Sequence, residues 1–313
     1  MKRLFAASFV ALAACTPPAS TDTPAPTQTA SALAPANLPA FFDCLRTSSQ
    51  AIAAAHRGGP APGYAENAIE TFEHTLAGAP VLMEIDIART SDGALVLMHD
   101  DTLDRTTNGA GEVRAHSLAQ IRALRLEDEA GAVLDAHPPT LRQALDWAAG
   151  QTILELDVKR GVSYEEVLAE VRAANALERV VFITYSDDAA VRVHTPAPEM
   201  MLSISIDAES DLDALTRRGV DLTRVLAWTG TDEPNSGLNV ALAQRGVETI
   251  FGTLGGADSW DARFERENLN QYAAFADGGL QIIATDRPIE AARDLDDNDG
   301  DERIASLQCA SAR

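Results

Sequence analysis

The stretch VLMEIDI at residues 81–87 decides how this chain folds. Successive side chains of a β-strand point to opposite faces, so Glu84 and Asp86 share one face and the apolar residues share the other. The apolar face is suited to packing against helices, and the two carboxylates then face the axis of a closed barrel. The stretch TILELDVK at residues 152–159 repeats this pattern of an apolar outer face and a charged inner face.

Outward from these two stretches, short β-rich runs alternate with longer helical patterns, which predicts βα units around a parallel sheet. The strand candidates are residues 52–57, 81–87, 152–159, 180–185, 201–206, 224–229, 249–254 and 281–286. Eight βα units in about 240 residues predict an α/β fold of the TIM (β/α)8 barrel type. An apolar run at residues 95–99 predicts a hairpin with the second strand, and the charged segment 110–139 a small insertion over the barrel mouth.

The N-terminal residues predict export. Residues 1–14 combine two positive charges with a short apolar run, which is typical of a signal peptide and too short to span a bilayer. The sequence that ends at Cys15 resembles the lipobox of bacterial lipoproteins, in which this Cys is lipidated; a signal anchor or a plain secretory peptide is the alternative. Residues 15–40, rich in Thr, Pro and Ala, predict an extended tether, and residues 41–313 the barrel domain. The expected location is the bacterial cell envelope, facing the periplasm.

The chain is strongly acidic, with 25 Lys and Arg against 47 Asp and Glu and a net charge of −22. Loss of the signal peptide would remove Lys2 and Arg3 and leave 23 cationic against 47 anionic side chains, a net charge of −24. Such a surface repels nucleic acid and anionic lipid. We therefore expect no nucleic-acid partner, and a membrane attachment that depends on the lipid at Cys15.

Two further cysteines, Cys44 and Cys309, lie near the two ends of the predicted barrel. The ends of a closed barrel are neighbours, and disulfides persist in the compartments that exported proteins reach. These residues are therefore candidates for a disulfide, with two free thiols as the alternative.

His56 and His99 each end an apolar strand and are each followed by a charged residue. Imidazole accepts and donates protons near neutral pH, so two such residues near carboxylates and Arg57 favour acid/base chemistry. A phosphate ester requires this combination, because its anionic oxygens need cationic contacts and its esterified oxygens need proton transfer.

The carboxylates of Glu84 and Asp86 and that of Asp157 on a neighbouring strand predict a divalent metal site. Like charges held together inside a barrel are costly unless a cation or a shared proton relieves them, and hard oxygen ligands suit Mg²⁺ or Ca²⁺. Lys159, farther along its strand, would then contact a phosphate oxygen. The alternative is a structural ion pair between these carboxylates and Lys159 or an Arg.

A run of motifs follows one order along most of the chain. The motifs are AHRGG (55–59), ENA (66–68), MEIDIARTSDG (83–93), HDDTLDRTTNG (99–109), PPTLRQAL (138–145), LDVK (156–159) and IIATDRP (282–288). Together they resemble the glycerophosphodiester phosphodiesterase family, whose fold is a TIM barrel related to the phosphatidylinositol-specific phospholipases C.

The resemblance implies a phosphoric diester hydrolase that converts a glycerophosphodiester into glycerol 3-phosphate and an alcohol. It implies an acid/base pair (His56 and His99), two phosphate contacts (Arg57 and Lys159) and three ligands of a divalent ion (Glu84, Asp86 and Asp157). In the implied mechanism the glycerol 2-hydroxyl attacks phosphorus, and water then opens the cyclic phosphate. His56 is the expected base and His99 the expected acid of the first step.

Two motifs depart from the family pattern. Residues 65–68 read Ala-Glu-Asn-Ala where the family usually has Pro-Glu-Asn-Thr, and Asn67 with Glu70 predicts a capped helix start. Asp157 stands where the family normally has Glu. The shorter Asp side chain retracts one ligand oxygen, and Glu155 is then an alternative ligand.

Two other functions remain open from the sequence. One is a lysophospholipase D or sphingomyelinase D type of activity on lipid, and the charge-rich segment 110–139 weakly favours water-soluble diesters instead. The other is a non-catalytic lipoprotein that binds phosphate ligands, and the intact pair of histidines argues against it.

Overall fold

The computed structural model of the protein describes residues 33–297 and 305–310. The strands are β1 (Ile52–Ala55), β2 (Leu82–Arg89), β3 (Leu95–Leu97), β4 (Leu154–Val158), β5 (Val180–Thr184), β6 (Met201–Ser205), β7 (Val225–Trp228), β8 (Glu248–Gly252) and β9 (Ile282–Thr285). All but β3 run parallel, and β1 pairs with both β2 and β9, which closes an eight-stranded barrel. The predicted TIM barrel is confirmed, and β3 forms the expected antiparallel hairpin with β2.

Helices cover the outside of the barrel. They are α1 (Leu38–Thr47), α2 (Ile69–Gly78), α3 (Leu118–Ile121), α4 (Leu141–Ala148), α5 (Tyr164–Ala173), α6 (Asp187–His194), α7 (Glu209–Arg217), α8 (Ser236–Gln244), α9 (Trp260–Glu267), α10 (Tyr272–Ala276), α11 (Pro288–Asp297) and α12 (Ala305–Ala310). Among the described residues, no helix combines the length and the apolar character needed to cross a membrane.

Strand alternation sorts the buried side chains into two cores. Outward-facing residues such as Met83, Ile85 and Leu156 pack beneath the helices in the larger core. The lower inward-facing residues form an apolar floor inside the barrel, made of Ile52, Leu82, Ile153, Val181, Met201, Leu226, Ile250 and Ile282. Polar inward-facing residues therefore lie above this floor, toward the C-terminal ends of the strands.

Helix α1 closes the bottom of the barrel. Its buried residues Leu38, Phe41, Phe42 and Leu45 belong to the same core as the apolar floor. A disulfide between Cys44 and Cys309 joins α1 to α12. The two ends of the described chain are thus held together at the face opposite the strand C-termini.

The predicted boundary of the tether at residue 40 is wrong. Leu33 is fully buried, its N–H donates to the Gln151 carbonyl at 2.9 Å, and α1 begins at Leu38. The sequence did not predict that residues 33–40 are folded, because this segment is rich in Ala and Pro and its apolar side chains that cover the floor are few and widely spaced. The predicted signal peptide, Cys15 and most of the tether lie outside the described residues.

The segment between β3 and α4 leaves the barrel as the predicted insertion. Leu126 and Ala136 of this segment pack against Ala65 and Ala68 in a small separate core. These alanines belong to the loop between β1 and α2, so the insertion is anchored at the upper end of the barrel.

Candidate active site

A cavity of about 390 Å³ opens at the C-terminal ends of the barrel strands. Its lining includes every residue that the sequence assigned to acid/base chemistry, phosphate or metal, namely His56, Arg57, Glu84, Asp86, His99, Asp157 and Lys159. The rest of the wall comes mainly from β5 to β9 and includes Tyr185, Trp228 and Leu254. The upper end of a TIM barrel is where this fold holds its catalytic residues.

Three carboxylates meet above the apolar floor. Strand register pairs Asp86 with Asp157, and ligand oxygens of these residues and Glu84 lie within 4.8 Å of one another. All three side chains are buried. Burial and the neighbouring Asp86 and Asp157 raise the pKa of Glu84 well above its ordinary value.

This carboxylate cluster fits a divalent cation. Asp157 Oδ1 is buried without a hydrogen-bond partner, and the cluster presents only hard oxygen ligands. Lys159 Nζ contacts Asp86 Oδ1 and Asp157 Oδ2, each at 2.6 Å, so the ion pair left open by the sequence is present. Arg57 Nε lies 3.7 Å from Asp86 Oδ2, and these two cations still leave three buried carboxylates short of positive charge.

Glu155 does not join this cluster. Its oxygens lie outside the group that shares the 4.8 Å limit, although register pairs Glu155 with Glu84 and the side chain lines the same cavity. Burial raises the pKa of Glu155 to about 7. The structure therefore gives no support to Glu155 as a replacement for Asp157.

Asn67 orients Asp86 and does not cap α2. Its side-chain N–H donates to Asp86 Oδ2 at 2.6 Å, and its Oδ1 accepts from the Asp86 backbone N–H at 2.9 Å. Asn67 adopts a left-handed backbone conformation (φ 57°), and Ala68 is the N-cap residue, with no side-chain hydrogen bond. The capping prediction is wrong because the side-chain amide of Asn67 is hydrogen-bonded to Asp86 of β2.

A tight turn after β1 places His56 and Arg57. Arg57 has φ 52°, and its backbone N–H donates to Glu84 Oε2 at 2.7 Å. Gly58 follows with φ 82°, and a Cβ there would lie 2.2 Å from the ring of Phe72. Glycine is required at this position both for the left-handed conformation and for the close approach of α2.

His56 is held by a carboxylate from the last strand of the barrel. His56 Nδ1 and Asp286 Oδ1 lie 2.7 Å apart, and Asp286 Oδ2 accepts from the Gly255 N–H at 2.9 Å. Burial raises the pKa of Asp286, but the hydrogen bond and charge of His56, the Gly255 N–H and the charge of Arg57 together outweigh it, and the net shift is downward. An ionised Asp286 keeps the proton on Nδ1 and leaves Nε2 for substrate.

His99 is held in the same way by its neighbour. His99 Nδ1 and Asp100 Oδ1 lie 2.7 Å apart, and Arg105 donates two hydrogen bonds to Asp100. Hydrogen bonding from Arg105 holds the pKa of Asp100 well below its ordinary value. Arg105 also donates twice to Glu66, and Glu66 accepts from Arg57 at 3.0 Å. One continuous set of hydrogen bonds thus links His99 to Arg57.

Comparison with known proteins agrees with this geometry. Residues 56–249 match the model of the glycerophosphoryl diester phosphodiesterase family, which is more than half of the chain. The chain belongs to this family. Among solved structures, a glycerophosphoryl diester phosphodiesterase from Parabacteroides distasonis is 27% identical, with a TM-score of 0.76 over 88% of this chain and 97% of that chain.

Curated members of the glycerophosphoryl diester phosphodiesterase family align with the chain over part of their length. The glycerophosphodiester phosphodiesterase of Bacillus subtilis is 30% identical over 179 residues, which is 50% of this chain and 59% of the relative. That of Caldanaerobacter subterraneus is 28% identical over 157 residues, which is 48% of this chain and 64% of the relative. The chain thus spans about three fifths of the length of these relatives.

The sequence did not assign the residues that orient the site's side chains. Asp286 and Asp100 hold the two histidines. Arg105 and Glu66 connect Asp100 to Arg57, and Asn67 holds Asp86. Asp100 carried a signal, because a carboxylate that follows a candidate histidine is placed to accept its ring N–H. Asp286 lies in the motif IIATDRP, but this motif does not indicate its partner, since only barrel closure brings β9 beside β1.

Proposed function

We propose that the chain hydrolyses glycerophosphodiesters to glycerol 3-phosphate and an alcohol, with His56 and His99 as acid/base catalysts. One observation carries the proposal: two histidines, each oriented by a carboxylate, face one cavity that also holds Arg57 and a buried carboxylate cluster. Membership in the glycerophosphoryl diester phosphodiesterase family supports the same reaction.

The two histidines have complementary tasks in this proposal. His56 accepts the proton of the glycerol 2-hydroxyl as that oxygen attacks phosphorus, and His99 donates a proton to the departing alcohol. In the second step the roles exchange, because water replaces the alcohol at phosphorus. Asp286 and Asp100 fix the ring orientations and stabilise each imidazolium when it forms.

Glu84, Asp86 and Asp157 are the residues that would hold Mg²⁺ or Ca²⁺. A bound divalent cation supplies positive charge to the phosphate oxygens and relieves the repulsion among the three carboxylates. Arg57 supplies a second cationic contact for phosphate. Lys159 forms ion pairs with Asp86 and Asp157. A divalent cation on these carboxylates would replace part of this pairing, and Lys159 would then supply a third cationic contact for phosphate.

Release of glycerol 3-phosphate from glycerophosphocholine and glycerophosphoethanolamine tests the function. We expect turnover with Mg²⁺ or Ca²⁺, loss of turnover with chelator, and a decrease in kcat of at least about 100-fold in H56A and H99A. H137A is the matched control, because His137 is exposed and does not line the cavity. Absence of turnover with every diester and metal contradicts the proposal, and cleavage of lysophospholipids alone would favour the lipid-directed alternative.

We further propose that Cys15 anchors the enzyme to the bacterial cell envelope, facing the periplasm. The support is the lipobox-like sequence before Cys15, and the disulfide between Cys44 and Cys309 agrees with an oxidising compartment. Fractionation of cells that produce the wild type or C15A tests this. Wild-type protein is expected with the membranes and C15A away from them; equal distribution contradicts the anchor.

A further inference from the structure

Asp261, in the first turn of α9, is a buried carboxylate that no step of the proposed reaction uses. The residue is 2% exposed and does not line the cavity. Burial raises the pKa of Asp261 above its ordinary value, because the charged form is disfavoured away from water. A carboxylate in such a place is costly unless hydrogen bonds compensate for the lost water. The groups that donate to Asp261 therefore indicate what it stabilises.

The hydrogen bonds to Asp261 come mainly from the end of β9. The backbone N–H of Asp286 donates to Asp261 Oδ2 at 2.7 Å, and the Thr285 hydroxyl lies 2.9 Å from both carboxylate oxygens. The Tyr272 hydroxyl donates to Asp261 Oδ1 at 2.8 Å. Thr285 and Tyr272 are fully buried, so these hydrogen bonds are shielded from bulk water. Asp261 thus holds the last residue of β9 and the first residue beyond it.

Asp261 also closes the loop between β8 and α9 onto the same point. The Asp261 N–H donates to the Thr253 carbonyl at 2.9 Å, and the Thr253 N–H donates to the Ala284 carbonyl of β9 at 2.8 Å. Between the two ends of this loop, the Gly255 N–H donates to Asp286 Oδ2. Asp261 therefore holds the backbone of Asp286 directly, and it fixes the end of the loop that holds the Asp286 carboxylate.

Asp286 in turn holds His56. Asp286 Oδ1 lies 2.7 Å from His56 Nδ1, and a hydrogen bond weakens steeply once its distance or angle departs from the normal range. A small displacement of Asp286 would therefore release the ring of His56 and the proton on its Nδ1. Two consecutive hydrogen bonds, one at each end of Asp286, connect Asp261 to a histidine that faces the cavity.

We propose that Asp261 is a positioning residue, which acts through Asp286 to fix the ring of His56 and to keep the ring proton on Nδ1. The expected effect on turnover rests on the proposed function, whereas the expected effect on the ring does not. Asp261 lies outside the cavity, so its loss should reduce kcat and leave KM little changed.

A double-mutant cycle tests whether Asp261 acts through Asp286. In the full chain with Mg²⁺, D261A is expected to lower kcat for glycerophosphocholine about tenfold, because His56 loses its alignment, and to keep KM within about threefold. In a D286A background the same change should alter kcat by less than about twofold, since the residue that Asp261 positions is gone. D261N should keep kcat within about threefold of the wild type, because its amide oxygen still accepts from the Asp286 N–H.

E248A is the matched control for loss of a buried carboxylate. Glu248 is 4% exposed and accepts from Arg46, but it is the first residue of β8 and lies at the lower end of the barrel. E248A should lower the stability and keep kcat within about twofold of the wild type. Thermal unfolding identifies folded variants. If D261A does not fold, D261L/Y272F takes its place, because apolar groups then replace both the carboxylate and its hydroxyl partner.

The tautomer of His56 provides a readout that needs no turnover. The ¹⁵N chemical shifts of the ring nitrogens, recorded at about pH 8.5 where imidazole is neutral, report which nitrogen carries the proton. Comparison with H56A assigns the signals. We expect the proton on Nδ1 in the wild type and in E248A, and a smaller share on Nδ1 in D261A.

Three results would each overturn the positioning role. They are an unchanged kcat in folded D261A, losses that add in the double variant D261A/D286A, and an unchanged tautomer of His56 in D261A. The same results in D261L/Y272F have the same meaning where that variant is used. Absence of turnover by the wild type is instead a failure of the proposed function, and the tautomer then decides the role of Asp261 by itself.

Discussion

At the scale of single residues, the site depends on side chains that touch no reacting atom. Arg105 is the clearest example, because its guanidinium group binds Asp100 beside His99 and Glu66 beside Arg57. Glu66 is only 6% exposed, so its charge depends on these two arginines. Arg105 therefore fixes His99 and Arg57 relative to each other.

Replacement of Arg105 by Gln should lower the stability of the protein in a pH-dependent way. The pKa of Asp100 is lowered in the folded protein, chiefly by its hydrogen bonds with Arg105. This contribution to stability is present above the unfolded pKa of about 3.9 and is lost as the pH falls toward the folded value. We expect R105Q to lower the free energy of unfolding by about 1 kcal/mol at pH 7 and by less at pH 3.

Urea unfolding at the two pH values measures this difference. R114Q is the control, since Arg114 pairs with Glu112 on the exposed surface of the insertion and should have no measurable effect at either pH. A loss in R105Q that is equal at pH 7 and pH 3 would show that Asp100 does not depend on Arg105.

At the scale of elements, the turn between β1 and α2 connects fold and chemistry. Gly58 lies in contact distance of Phe72, and the two residues before it are His56 and Arg57. Thr75 of α2 donates to the Gly58 carbonyl at 2.7 Å, so helix and turn are packed as one unit. A change in the packing of α2 is thus transmitted directly to the site.

G58A is expected to reduce both stability and activity. The new Cβ would overlap Phe72 at 2.2 Å and occupy a left-handed conformation, which together cost about 2–4 kcal/mol. We expect kcat to decrease at least about tenfold, because the displaced turn carries His56 and Arg57.

G63A is the matched control for this prediction. Gly63 has a similar φ of 84°, but a Cβ there meets no atom within 4 Å. Its cost should be limited to the conformational part, about 1–2 kcal/mol, with near-normal kcat. Equal effects of the two substitutions, by urea unfolding and steady-state kinetics, would exclude the contact with Phe72 as the cause.

At the scale of the whole molecule, the two ends of the barrel have separate tasks. The upper end carries the cavity, and the lower end is closed by α1 and by the disulfide between Cys44 and Cys309. The apolar floor lies between them. A change at the bottom of the barrel should therefore affect stability without altering the site.

Removal of the disulfide in the double variant C44A/C309A tests this separation. We expect the free energy of unfolding to decrease by about 2–5 kcal/mol, because the bond closes a long loop of the unfolded chain. At 25 °C kcat/KM should stay within about twofold of the wild type. Reductant should destabilise the wild type but not the variant, and a parallel loss of activity in the variant would contradict the separation.

Much of this architecture could be predicted from the sequence, because its signals are local. Alternation within residues 81–87 and 152–159 set which side chains face inward, and all the predicted strands lie at or within two residues of those in the structure. The boundary of the folded unit could not be predicted, since Leu33 is buried only by contact with a distant part of the chain.

By itself the sequence determined the barrel and the residues that face its cavity, because strand alternation and order along the chain depend on neighbouring residues alone. Only the tertiary structure decided how those residues are held. Asp286 reaches His56 through closure of β9 onto β1, Asn67 turns to Asp86 instead of capping α2, and the oxygens of Glu155 lie outside the cluster. Each of these outcomes depends on distances between segments far apart in the chain, and such distances are set when the whole barrel packs.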